Sequence, residues 1–281
     1  MVRGRAAQAQ QAQPRFAFVI GSDAYEGKPH PTAANDAALV ADTLKGAGFD
    51  VSGARNLDQD TFRASYREFL ERVAAAGPQA MTAIYLSGYG VQYDGENYLL
   101  PAGARIAREG DIPLNAIRLS DLTRSLSGMP ASARMIVLDL AHEGAPIPRD
   151  IELAPGLALV DADPGTLIAF NAAPGTAAPP ETGSYGSYAQ ALATVMHEPG
   201  LSFEEIFDRT RLAVLDATKG RASPWAASRI DASLLLFERT ADAPPPAVTQ
   251  AKINELNTRP IRELSAEDAY AAAVRRDTLQ A

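Results

Sequence analysis

Hydrophobic positions along the chain alternate between two periods. Phe16 to Gly21, Phe49 to Ser52, Ile84 to Ser87, Met135 to Leu138 and Thr166 to Phe170 are short apolar runs rich in β-branched and aromatic residues. Such runs predict strands buried on both faces of a parallel sheet. Between them apolar residues recur at helical spacing. Ala38, Val40, Ala41 and Leu44 predict a helix starting near Asn35, with Asn35 as its N-cap and Asp36 at its positive end. Phe62, Tyr66, Phe69, Leu70 and Val73 predict another over 61–76, and Ser120 predicts a cap for one running through Leu126. A further helix is expected over 188–196. Ser202 and Glu205 form a capping box that opens a helix to Thr218, stopped by Gly220. Ala232 to Glu238 reads as the last strand.

Strands alternating with helices predict an α/β fold, with a mostly parallel six-stranded sheet covered by helices on both faces. After the third strand, Asp94-Gly95 between two alternating segments predicts a small β-hairpin, because both central residues of its tight turn need positive φ. Residues 1–14 are Gln/Ala-rich without periodicity and read as a disordered lead-in to a domain spanning 15–238. Ala241 to Pro246 reads as a stiff linker, and Ser265 as the cap of a short Ala-rich helix opening a C-terminal helical region over 239–281. The lead-in is of the kind that follows a removed signal peptide, so the expected location is periplasmic or secreted, the alternative being cytoplasmic.

Composition narrows the chemistry. A net charge of −8 without a basic stripe argues against a nucleic-acid partner. No apolar run is long enough for a membrane span. The chain has no cysteine, which removes disulfides, thiolate metal sites and cysteine nucleophiles together. No His, Asp and Glu cluster has zinc-like spacing, and no cofactor motif is visible. No cofactor is therefore expected.

In an open α/β sheet, ligands bind beyond the carboxyl ends of the strands, which places Tyr89 and Ala141 where chemistry is expected. Together with Arg15 to Gly21, Ala34-Asn35-Asp36-Ala37, Gly48-Phe49, Asn97 to Pro101 and Pro224-Trp225, these surroundings resemble a bacterial caspase-like domain of the metacaspase/orthocaspase group. The resemblance implies a three-layer caspase-like sandwich and a cysteine-type endopeptidase. It also implies that the third strand leads to the catalytic histidine and the fourth to the nucleophilic cysteine. Tyr89 stands in the histidine's place and Ala141 in the cysteine's, 52 residues apart, close to the roughly 50 expected for a caspase-type pair. Alanine has no lone pair and a tyrosine is a poor base at neutral pH, so the resemblance implies a pseudoenzyme. After Ala141 the run His142-Glu143-Gly144-Ala145 departs from the Arg-Asp-Asn-Pro usual in the family, as expected of natural drift rather than of a single inactivating change.

Other site residues carry alternatives. Ser87 with His142 is the one Ser/His pair that would supply a different nucleophile, giving a weak hydrolase, although the resemblance implies a packing role for Ser87. Asp139 stands where the group binds a basic substrate side chain, and either does so here or caps neighbouring amides. Asp23, near the end of the first strand, is a second carboxylate for the same cleft. Tyr89 either plugs the cleft or lines it. The expected partner is thus a peptide or protein segment with a basic residue, the alternative being a purely structural domain. Between Met135 and Asp208 the only Lys or Arg is Arg149, so self-cleavage after a basic residue has no site within 174–186.

Overall fold

The computed structural model describes residues 13–230 and 234–237. The elements follow one another as β1 (Arg15–Gly21), α1 (Ala33–Gly46), β2 (Asp50–Arg55), α2 (Gln59–Ala76), β3 (Met81–Ser87), β4 (Gly90–Tyr93), β5 (Glu96–Leu99), α3 (Ile112–Asn115), β6 (Ile117–Arg118), α4 (Leu119–Ser127), β7 (Ala133–Asp139), β8 (Thr166–Phe170), α5 (Ser187–Met196), α6 (Phe203–Thr218) and β9 (Trp225–Ser228). Every residue of β3, β7 and β8 is buried, as their unbroken apolar runs require. The sheet order is β2-β1-β3-β7-β8-β9, parallel except where β9 runs against β8.

Helices cover both faces. Phe18 projects from β1 onto α2, with Phe62, Tyr66 and Phe69 at centroid distances of 5.4 to 5.5 Å. Tyr66 donates its hydroxyl proton to Leu122 O across to α4, which shares that face. On the opposite face α1 packs on β1 and against α5, and α5 against α6. At the end of β1 a Cβ on Gly21 would stand 2.5 Å from Ala33 O, so only glycine lets α1 start this close to the sheet.

Several expectations are corrected. Asn35 does not cap α1: the helix begins two residues earlier, Asn35 donates to Ser184 O, and His30 Nδ1 accepts the amide of Ala33. Ala38 is exposed, and Asp36 faces the interior beside Ala37 and Val40. Ser120 lies inside α4 and donates to Glu96 instead of capping. The hairpin turn has Asp94 at φ 51° and Gly95 at φ 75°, as its type demands, but β6 adds a third strand to it.

Among the described residues the last strand is Trp225–Ser228, and of the expected strand over 232–238 only 234–237 are described. Within the latter span, residues 234–237 make only a single bridge, Leu235 to Ser202. An edge strand needs one apolar face only, so the plainer Trp225-Ala226-Ala227-Ser228 suffices. The greasier Leu234 to Phe237 packs elsewhere: Arg15 Nη1 donates to Leu236 O at 2.6 Å and to Ala47 O at 2.7 Å, and Gly200 N donates to Phe237 O. The expectations for residues 1–12, for the 241–246 linker and for the helix after Ser265 lie outside the described residues. Among the described residues no helix is long and apolar enough to cross a membrane.

Candidate functional site

β3 and β7 are neighbours in register, Ser87 beside Asp139, so the segments after them leave the sheet side by side. Gly88 N donates to Asp139 O at 3.2 Å and Gly90 N to Leu140 O at 2.8 Å, which extends the pairing past both strand ends. Tyr89 and Ala141 therefore occupy adjoining backbone positions, as their places in the sequence predict. Both are buried, Tyr89 at 5% and Ala141 at 1% exposure.

Four rings fill this end of the sheet. Tyr89 lies 5.1 Å from Tyr25 and 4.7 Å from His30 between ring centroids, and His30 lies 4.5 Å from His142. Tyr25 is fixed by donating its hydroxyl proton to Leu100 O and accepting the amide of Tyr89. Because His30 Nδ1 accepts from Ala33 N, its proton sits on the other nitrogen. Burial first, then the neighbouring His142, lowers its pKa to about 3.

Asp139 is committed to the chain itself. Tyr85 donates to Oδ2 at 2.6 Å and His142 Nε2 lies 3.0 Å from Oδ1, with all three residues buried. Burial works against protonation of His142, but the hydrogen bond and charge of Asp139 outweigh it and raise its pKa. The backbone of Ala141 is held from the side by Asn171 and from beyond by Ala178, whose amide donates to Ala141 O at 2.7 Å. Glu143 N returns a bond to Ala178 O, zipping the segments after β7 and β8 together.

Asp36 lies in the first turn of α1, where the sequence places it, but its part in the site was not foreseen. It is fully buried, and its Oδ1 accepts the amide of Gly186 at 2.7 Å. Burial, and then the field of Asp139, pushes its carboxyl up to about 7. The signal was present: Asp36 lies on the stripe of Ala33, Ala37, Val40 and Leu44, the face of α1 that meets the sheet. His30, Tyr85 and Asn171 carry no such pattern.

The Ser87 and His142 pair is not formed: Ser87 Oγ is buried without a hydrogen-bond partner, and His142 Nε2 is turned to Asp139. Asp23 Oδ1 accepts from the Asn56 side-chain amide at 2.6 Å. Among the described residues no group of three or more His, Asp and Glu could hold a metal ion.

A family model described as the caspase domain matches residues 14–235. The chain belongs to the caspase-domain family. Among solved structures, the caspase fold here is similar to the Drosophila initiator caspase Dronc, with 12% identity, a TM-score of 0.53, and 80% of this chain and 85% of that one covered. It is similar also to caspase-1 from Spodoptera frugiperda, with 15% identity, a TM-score of 0.53, and 82% and 92% covered. At such identities the likeness is one of fold. No curated protein matches the chain in sequence.

Proposed function

We propose that this caspase domain is a pseudopeptidase of the metacaspase/orthocaspase type, with no turnover of its own, that works as a regulatory module binding a protein segment. The observation that carries this reading is the adjoining, buried pair Tyr89 and Ala141 at the ends of β3 and β7, in a chain without cysteine. Peptide hydrolysis through this geometry needs a nucleophile and a base in contact, and a phenol beside a methyl group supplies neither. The commitment of His142 to Asp139 weighs against the Ser87 hydrolase.

The partner that fits is a peptide or protein segment with a basic side chain. Asp36 and Asp139 together offer two carboxyls, and of the chain's own groups the His142 imidazole acts on both. The test is an assay of purified protein against fluorogenic Arg and Lys peptides, with and without calcium. No hydrolysis is expected. Activity that co-elutes with the protein and disappears in Ser87→Ala would overturn the reading and favour the hydrolase.

A further inference from the structure

Three segments remote in sequence close over the cleft end of the sheet, and they meet on ionisable groups. Residues 22–32 bring Tyr25 and His30. The turn after β7 brings His142. The start of α5 brings the amide of Gly186 and the hydroxyl of Tyr188. His30, His142, Gly186 and Tyr188 lie about two buried carboxyls, Asp36 on α1 and Asp139 on β7, and Tyr25 packs on Tyr89 beside them.

The hydrogen bonds show how close this arrangement is to imbalance. Asp139 is satisfied by Tyr85 and His142. Asp36 spends one oxygen on Gly186 N, the Thr32 hydroxyl stands beside its carboxyl without a well-formed hydrogen bond, and Tyr188 Oη is buried with no hydrogen-bond partner. A Cβ on Gly186 would stand 3.0 Å from Asp36 Oδ2, so the start of α5 lies directly on that oxygen. Asp36 faces Asp139, His142 and Tyr85. His142 faces Asp139, Asp36 and His30, and Tyr188 faces Asp139. Lys28, whose ammonium lies beside Gly144, is exposed at the surface. With His142 charged and Asp36 protonated the buried set is neutral. Loss of either proton to solvent leaves an uncompensated anion under the closure, which a water-poor site tolerates badly.

We propose that residues 22–32 and 183–188 form a charge-gated closure over Asp36 and Asp139, shut while the buried set is neutral and released in mildly alkaline solution, which uncovers both carboxylates for a basic side chain. The ligand side of this inference rests on the binding-module reading; the gate itself does not. Protonation works in the same direction as the geometry. Both Asp36 and His142 bind their protons more tightly in the closed arrangement than in water, so raising the pH through neutrality favours release.

Amide hydrogen exchange of the full chain at pH 5.5 and pH 8.5, with exposure times scaled to the intrinsic rate, reads the gate directly. Exchange at Gly186, Ser187 and residues 22–32 is expected to rise about thirtyfold at the higher pH, since one proton linkage gives about tenfold per pH unit between 5.5 and the value of about 7 for Asp36. Amides of β3 and β7 stay protected and report that the fold is intact. Asp36→Asn, which keeps the acceptor for Gly186 N, is expected to reduce the rise to the part that His142 carries, and His142→Gln to open the closure at pH 5.5 as well. Exchange that is independent of pH in the native chain, or unchanged by Asp36→Asn, overturns the gate. N-acetyl-arginine amide, added as probe, is expected to bind at pH 8.5 and not at pH 5.5. Equal binding at both overturns the gate and leaves the binding-module reading standing. Opening without binding keeps the gate and removes the basic ligand.

Discussion

Asn171 grips the backbone of Ala141 with both ends of its side-chain amide: Oδ1 accepts from Ala141 N at 2.9 Å and Nδ2 donates to Ala141 O at 3.2 Å. Asn171 is itself buried, one residue beyond β8. The position expected of a nucleophile is thus fixed by a neighbouring strand even though the side chain there is a methyl group.

Asn171→Ala strips both bonds and strands the amide of Ala141 in a dry site. A loss of about 2 to 4 kcal/mol is expected, since each buried polar group left unsatisfied costs about 1 to 3 kcal/mol. Urea unfolding followed by circular dichroism measures it, and a loss below about 1 kcal/mol would show that the clamp contributes little.

Ala141→Cys puts a thiol where exposure is 1%. The expected result is a thiol that reacts with a disulfide reagent far more slowly than free cysteine and reacts fully once the protein is unfolded. Burial in a water-poor site withholds access and disfavours the thiolate.

The dependence of stability on pH follows from three buried groups. His30, lowered to about 3, stays neutral in the fold while the unfolded chain takes up a proton, so stability rises with pH between about 3 and 6.5. Asp36, raised to about 7, keeps a proton the unfolded chain has released, so stability falls as pH rises from 3.8 to about 7. These two oppose each other between 3.8 and 6.5 and nearly cancel. His142, raised above 6.5, contributes in full below 6.5 and loses its contribution as pH rises through its folded value. Thermal unfolding is expected to show a plateau over mildly acidic pH with losses on either side, each group contributing a slope of about 1.4 kcal/mol per pH unit within its window. In Asp36→Asn the plateau becomes a rise with pH, because His30 is no longer opposed.

Gly156 has φ 62°, and a Cβ there would sit 1.8 Å from Thr176 O, so it joins the segment after β7 to the one after β8. Gly156→Ala is expected to cost about 2 to 4 kcal/mol, combining left-handed strain with a backbone clash. It should also speed tryptic cutting at exposed Arg149. In the native chain, fragments cut at Arg149 are expected to co-elute in gel filtration. They remain joined by β7 pairing with β8, and by Asn97 bonding both ways to the backbone of Ala158.

What the sequence revealed was set by local pattern. The runs Ile84 to Ser87 and Met135 to Leu138 announce their strands because a parallel strand buried on both faces needs continuous apolar residues, and the register of the two then brings Tyr89 to Ala141. Trp225 to Ser228 was missed because an edge strand bears no such demand, and Leu234 to Phe237 drew the prediction on hydrophobicity alone. The network behind the site was hidden for another reason. Asp36 meets Gly186 across 150 positions and Asn171 meets Ala141 across 30, distances over which no periodicity operates.

Arg15 has a mechanical consequence. It stands at the start of β1, at the end of the sheet remote from Tyr89 and Ala141, and holds the carbonyl of Leu236. The first and last described stretches of the domain therefore run beside each other on the far side from the cleft. Tension applied through both ends would load this guanidinium contact first and peel the 234–237 segment away before any strand of the central sheet was stretched, leaving the ring-filled end undisturbed.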